Sequence, residues 1–492
     1  MKRIIIGLSV FVFLLILVFI LSMRQSTETS TVIKRYGDGF LEEKESGLRV
    51  LHLKGTAYER GYQRGMLQDD LGTVTINNIT QLAALFGGDS LEAGLAALHE
   101  AKKIMEPFIP YQFRQEMKGM ADALAARGSS VTYDDIVLHM VGADFGMMDP
   151  GHDLKQPRKR NPCPPISRCS SFSAWGGAVK DGKLVFAGNS DYYDSREELK
   201  NRPIAVVDPT DGGYGYVGAL WDVFFAASGI NEAGIAVNGQ LVNADSESLR
   251  GVSSELLLRM VLQYADSIED AVEILTVHPR TCGIIVHVAD AKTNRAAVIE
   301  FTADDIAVHF AEPGKKVLWT TNHFNCFPGW QGYSGFNMAP TYDERAKLVD
   351  IGTVEKWQDS LEKTGKGRAG RYGRYQQLLY ENYGKITVEK AKEIISDRYS
   401  LKQGKVLGPT EATNWTDYPI MVCQQDWVMS KNIKYYKSKK HGELRVKSGN
   451  VSSFATVPAT GEIWWAVGIP PAAYTTGYSH MNLHKELARN RE

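Results

Sequence analysis

The chain has 492 residues, 43 % of them apolar, enough to bury a substantial core in one large domain or two to three ordinary ones, so a disordered or fibrous protein is excluded. Lys and Arg number 56 against 57 Asp and Glu, which leaves no overall field to favour a polyanion, and no nucleic-acid partner is expected. The five cysteines, at 163, 169, 282, 326 and 423, show no CxxC spacing, which argues against a thiolate metal site, and their odd number leaves at least one thiol unpaired in an exported chain.

Ile4 to Met23 is an uncharged run of 20 residues. At about 1.5 Å per residue it spans a bilayer core of about 30 Å, and it exceeds the apolar part of a secretory signal; "FILSMRQS" offers only a poor cleavage site. The expectation is an N-terminal transmembrane helix, with Lys2 and Arg3 on the cytoplasmic side and the rest outside; a secreted or lumenal product after signal cleavage is the alternative. Residues 1–31 are then anchor and linker.

Residues 32–168 read as an α-rich upstream segment. Asp89 and Glu92 have capping-box spacing, with Leu91, Leu95, Leu98, Ile104 and Phe108 at helical intervals, and Thr132 with Asp135 opens another helix. "DPGHDLKQPRKRNPCPP" follows, basic and broken by proline, and reads as an exposed loop. From Cys169 the texture changes to short strands such as "KLVFAGNS", "GIAVNGQ", "GIIVHVAD" and "VLWTTNH", interrupted by helical stretches at Ser254 to Tyr264, Ile268 to Leu275, Arg374 to Tyr383 and Val388 to Asp397. "KYYKSKKHGELRVK" reads as a solvated hairpin edge, and "SSFATVPATGEIWWAVG" as a terminal hairpin. Grouped strands and helices point to layered α+β with antiparallel sheets. Asn78, Asn414 and Asn450 open N-x-[ST] triplets, which matter only in a glycosylating host.

Asp181-Gly182 suits a two-residue type I′ turn. If Lys180 faces Lys183, Phe172 faces Asp191 and Ala174 faces Asn189, so a carboxylate and an amide finish one strand where Cys169 begins the other. Gly176 and Gly177 can introduce a bulge that shifts this by one. Attack of the Cys169 thiol on the carbonyl of Arg168, followed by hydrolysis, would free an α-amine with a reference pKa near 8 beside a thiol of about 8.5. Nucleophile and base would then belong to one residue. The competing readings of Cys169 are a small buried apolar residue and half of a disulfide with Cys163.

"GTAYERGYQRG", "CSSFSAWGGAVKDGKLVFAGNSDYY", "SGINEAGIAVNGQLVN", "GVSSELLLRMVLQYADSIEDAVEIL", "TTNHF" and "RYGRYQQLL", in this order over residues 50 to 475, resemble the acyl-coenzyme A:isopenicillin N acyltransferase (C45 peptidase) family of N-terminal-nucleophile hydrolases. The resemblance implies an αββα four-layer sandwich, with 169–492 as the catalytic region. It also implies Cys169 as nucleophile released by cleavage after Arg168, Asp191 as the acid positioning its amine and thiol, and Asn322 as oxyanion donor. Arg374, or alternatively Arg371, matches the site arginine, and Asn238 a pocket residue beside Asn189. His323 is read as structural, and the "NEAG" turn as a hairpin whose Asn231 and Gly234 serve the backbone. Gly188 departs from relatives that carry Arg three residues before the acid. No metal or organic cofactor is implied. The partner is a small amide or N-acyl compound, amphiphilic if the anchor guides it. A catalytically silent binding ectodomain and a single-chain thiol hydrolase are the alternatives.

Overall fold

The Asp181-Gly182 turn does not close the hairpin it suggests. In the computed structural model, which describes residues 29–86, 90–147, 153, 169–194, 202–219, 228–242, 244, 246–322, 324, 367–400, 405–408, 413–414, 422–423, 425–429 and 445–491, Ser170 faces Asn189, Phe172 faces Ala187 and Ala174 faces Val185. The pairing is displaced because the chain leaves the strand at Trp175, makes one 3-10 turn at Gly176–Ala178, and Lys180 then donates its N–H to Ile386 O. Residues 175–184 are therefore a loop pinned by a distant element. The thiol and the acid still meet at the strand ends.

Among the described residues, two large sheets organise the chain. The first has ten strands, in the order β1 (Ser30–Tyr36), β2 (Gly39–Lys44), β3 (Arg49–Gly55), β6 (Ile204–Pro209), β7 (Tyr216–Ala219), β8 (Ser228–Asn231), β9 (Ile235–Val242), β10 (Gly283–Asp290), β11 (Arg295–Phe301) and β12 (Ile306–Phe310). The second runs β13 (Val317–Thr320), β4 (Ser170–Ala174), β5 (Val185–Asp194), β18 (Arg445–Val457), β17 (Gln425–Met429) and β16 (Thr413–Asn414), with β19 (Glu462–Val467) and β20 (Ser479–Asn482) branching from β18. β14 (Tyr399–Ser400) and β15 (Lys405–Val406) pair separately.

The upstream segment is rich in helix, but it opens with the strands β1 to β3, and β3 pairs in parallel with β6 while its other neighbour is antiparallel. "RVLHLKG" is buried on both faces from Val50 to Leu53, and β2 and β3 are obscured in sequence because Glu42, Lys44 and His52 are buried beside apolar residues. Those charges are met by Glu486 and Arg489 of the C-terminal helix α11 (Leu483–Arg491). Burial alone would raise the Glu42 carboxyl, but hydrogen bonds from His52 and Arg489, with Lys44 nearby, hold it far below the usual carboxylate range.

Helices α1 (Ala57–Leu67), α2 (Leu71–Phe86), α3 (Leu91–Met105), α4 (Tyr111–Ala126) and α5 (Tyr133–Met147) complete the upstream part. α3 is capped by Ser90, whose hydroxyl accepts from Ala93 N, rather than by Asp89, which lies outside the described residues. α5 has the reciprocal Thr132–Asp135 cap that its sequence indicates. Gly61 of "GTAYERGYQRG" and Gly119 of α4 let α1 and α4 touch backbone to backbone: a Cβ on Gly61 would lie 1.9 Å from Glu116 O, and one on Gly119 would lie 2.1 Å from Tyr58 O. This segment is also tied to the downstream part by the buried Arg259–Glu116 pair at 2.9 Å.

α6 (Ser254–Tyr264) and α7 (Ile268–Val277) cover the outer face of the first sheet; a Cβ on Gly239 of β9 would meet Leu258 at 2.4 Å. α8 (Gly367–Glu381) and α9 (Val388–Ile395) cover the outer face of the second, with Tyr375 tilted against Phe172. Between the sheets, His287 of β10 bonds Ser171 and Ser173 of β4, and Phe186 packs on Phe454. The result is an α+β sandwich of helix, sheet, sheet and helix. A short helix, α10 (Ala472–Thr475), follows β19. In the "NEAG" turn, Gly234 adopts φ +92° and Asn231 satisfies Ile235 N and the carbonyls of Leu262 and Ala265, so both serve the backbone.

No described helix is long and apolar enough to cross a membrane, and Ile4–Met23 lies outside the described residues. So do Arg168, Cys163, His323 and most of the basic stretch at 434–447. Asn450 is fully buried, and Asn78 is buried with its amide against His139. Neither is presented for glycosylation.

Candidate active site

Cys169 stands at the head of β4, buried and outside any disulfide. Asp191 N–H donates to its sulfur at 3.4 Å, and the thiol points back to Asp191 O at 3.7 Å. Backbone pairing of β4 with β5 thus holds the thiol and the acid side by side.

The third element is α8. Arg371 and Tyr375, four residues apart, share one helix face. Arg371 is fully buried and donates through Nη1 to Cys169 O at 3.3 Å and through Nη2 to Asn322 Oδ1 at 2.9 Å. Tyr375 shares a hydrogen bond with Ser170 Oγ at 2.9 Å, and burial pushes its phenol well up. Asn322, just beyond β13, donates its amide to Leu241 O at 2.8 Å. Its carboxamide is therefore fixed at both ends.

Arg374 is not part of this group. Three residues beyond Arg371 it is turned about 60° around the helix, where it grips Asp397 with two bonds of 2.9 and 2.7 Å and lies over Tyr399. The arginine at Cys169 is Arg371.

Asn189 also departs from its reading as a pocket residue. Its amide donates outward to Ile395 O at 2.9 Å and Val422 O at 3.2 Å, so it fastens α9 to the sheet. Asn238 faces the seam between the sheets, donates to Ser228 Oγ at 2.7 Å and accepts from Gln240. Its side chain fills the space beside Gly188, where a Cβ would meet Asn238 Nδ2 at 2.9 Å. The position that lacks the relatives' cation is thus occupied by a neutral amide.

A polar seam continues from there. Gln240 donates to Ser171 Oγ at 2.8 Å and accepts from Thr320 Oγ1 at 2.7 Å, while Ser228 meets Ser190 at 3.2 Å. Burial pulls the His287 imidazole down to about 3, so it stays neutral between its serines.

On the opposite side of β5, Asn450 donates to Asp191 Oδ1 at 3.3 Å. Sequence reading missed Asn450, Ser170 and Tyr375. The four-residue spacing of Arg371 and Tyr375 was a usable signal for the helix face.

Among the described residues, one acid–histidine group could converge on a metal, Glu42 with His52 and Glu486. Lys44 Nζ stands 3.1 Å from Glu42 and 3.0 Å from Glu486, and Arg489 bonds both. The cations already supply what a metal would, so this is an ion cluster joining β2 to α11.

A thiol at a strand head in a two-sheet sandwich, flanked by an acid, an amide and a buried arginine, defines a candidate nucleophilic centre. Residues 178–415 match the family model described as acyl-coenzyme A:6-aminopenicillanic acid acyl-transferase, the kind of protein that the motifs resemble. It is 27 % identical over 368 residues to an uncharacterised protein of Archaeoglobus fulgidus, covering 73 % of this chain and 59 % of that one. It is 23 % identical over 288 residues to protein dcd1B of Dictyostelium discoideum, covering 53 % and 51 %. The match thus spans only about half to three fifths of these relatives. Among solved structures, penicillin V acylase from Agrobacterium tumefaciens is similar at 14 % identity and a TM-score of 0.36, over 64 % of this chain and 87 % of that one. The Caenorhabditis elegans ortholog of N-acylethanolamine-hydrolyzing acid amidase is similar at 17 % identity and a TM-score of 0.33, over 64 % and 99 %.

Proposed function

We propose that this protein is a cysteine amidohydrolase or acyltransferase that cleaves itself between Arg168 and Cys169. The Cys169 sulfur attacks the Arg168 carbonyl carbon and the C–N bond breaks. The acyl group passes to sulfur as the amine takes a proton, and water then hydrolyses the thioester, leaving a carboxylate on Arg168 and a free amine on Cys169. In turnover that amine accepts the thiol proton as sulfur attacks the substrate amide, and it returns a proton to the leaving amine. The thioacyl group passes to water or to a second amine.

The observation that carries this reading is the convergence of Asp191, Arg371 and Asn322 on the one residue whose sulfur and nitrogen would act together. Asp191 orients the thiol and amine, and Asn322, held by Arg371, donates to the oxyanion. Asn238 fills the space beside Gly188 with a neutral amide instead of a cation, which supports an uncharged N-acyl group as substrate. With Ile4–Met23 as a membrane anchor and the catalytic part outside the cytoplasm, an amphiphilic N-acyl amine is the proposed substrate class.

Incubating the purified protein and resolving it under denaturing conditions tests the reading. Wild type should give two fragments, the larger beginning at Cys169 by N-terminal sequencing, and Cys169→Ala should remain one band. A single uncut band in wild type removes the self-cleavage reading.

A further inference from the structure

Where β18 passes Asp191, its register against β5 slips. Asn450 faces Asp191 but Ser452 faces Ser190, so Val451 is an extra residue and the strand is bulged. In an unbroken strand, residues 450 and 453 would point to opposite faces. The bulge puts them on one face, and the Asn450 amide donates to Ser453 Oγ at 2.9 Å, to Ser452 O at 2.9 Å and to Asp191 Oδ1 at 3.3 Å. Its oxygen accepts from Ala473 N at the start of α10 at 2.8 Å, from Ser453 Oγ at 3.2 Å and from the Cys423 thiol at 3.6 Å. A fully buried carboxamide thus gives its donors to the acid's side and its acceptor to α10. Only an amide has both polarities in this shape.

We propose that Asn450 is a positioning residue for the reaction, fixing the Asp191 carboxylate against Cys169 and tying it to α10. This rests on the reading of Cys169 as the nucleophile. The titratable groups that face Asp191 are the thiols of Cys169 and Cys423 and the Tyr375 phenol, with the Arg371 guanidinium acting on Tyr375 and that of Arg398 on Cys423. Asn450 is the neutral member that hands the carboxylate a proton donor from the β18 side. Asn450→Asp removes that donor and places a like charge beside Asp191, so thiolate formation at Cys169 becomes harder.

The test is the pH dependence of iodoacetamide alkylation at Cys169, read by mass spectrometry on the full chain. Asn450→Asp should move the inflection upward by about one pH unit. The swapped pair Asp191→Asn with Asn450→Asp restores one carboxylate and one amide and should bring the inflection back toward wild type. Should Asn450→Asp fail to fold, Asn450→Ser introduces no charge and should slow self-cleavage at least about tenfold with thermal unfolding little changed. An unmoved inflection in Asn450→Asp, or the same displacement with and without Asp191, overturns the proposal. A wild type that never cuts itself overturns the self-cleavage reading and leaves the alkylation comparison standing.

Discussion

Arg371 holds the oxygen of the Asn322 carboxamide at 2.9 Å, and through the same guanidinium it holds the main-chain oxygen of Cys169 at 3.3 Å. One rigid fork therefore sets the orientation of the amide relative to the residue bearing the thiol. Lys in its place would keep the charge and lose the two-directional geometry. Arg371→Lys should lower kcat about 100-fold with a smaller change in KM, measured on N-acyl amides. Arg374→Ala should leave kcat near wild type and cost about 2 kcal/mol of stability through the lost Asp397 pair. The reverse pattern would return the site role to Arg374.

Gly188 and Asn238 are matched in volume. A methyl group at 188 would press on Asn238 at 2.9 to 3.0 Å and on Phe454 at 3.1 Å. Gly188→Ala should cost about 1–3 kcal/mol, and Asn238→Ser in the same chain should recover most of it. Gly188→Arg should be worse than Gly188→Ala, because its side chain enters a closed, neutral seam. Urea unfolding of wild type and the three variants decides this. If Gly188→Arg is as stable as wild type, the seam has room for the cation and the substrate argument built on its neutrality fails.

These relationships mark how far the sequence could be read. "GIIVHVAD" and "AAVIEF" are strands by local propensity, and β10 and β11 appear where those runs lie. The β4–β5 register depends on Lys180 meeting Ile386, a contact across some two hundred residues that no local turn rule contains. The choice between Arg371 and Arg374 is a matter of helix phase against β4, which exists only once α8 is docked. Asn450 reads as an N-x-[ST] triplet because the bulge that gives it a role is a property of two paired strands. β1 to β3 were hidden by buried charges whose partners lie at the far end of the chain.

The α1–α4 crossing gives a sharper packing test. At Gly61 the obstructing atom is the Glu116 carbonyl oxygen at 1.9 Å, a backbone atom that no rotamer change can move. Gly61→Ala should cost about 3 kcal/mol or more and reduce soluble yield. Ala on an exposed position of the same helix, as in Glu59→Ala, should cost about 1 kcal/mol through its lost capping contact. Equal melting temperatures for Gly61→Ala and wild type would mean the helices sit farther apart.

His287 links the sheets as a neutral ring, and its proton affinity sets a pH dependence of stability. Burial lowers its folded pKa to about 3 from an ordinary value of about 6.5. The unfolded chain therefore binds the extra proton between those values, and stability falls as pH drops through that window. Above about pH 6.5 neither state is protonated there, and the contribution is fully present. Between pH 7 and pH 4.5 the ring alone should remove roughly 2–3 kcal/mol. His287→Gln, which keeps a donor and an acceptor for Ser171 and Ser173, is less stable at neutral pH but lacks this slope. Urea unfolding at the two pH values should show wild type losing roughly 2–3 kcal/mol more than the variant. Equal losses would mean that the ring already carries its proton in the folded sandwich, and that Ser171 and Ser173 both accept from it.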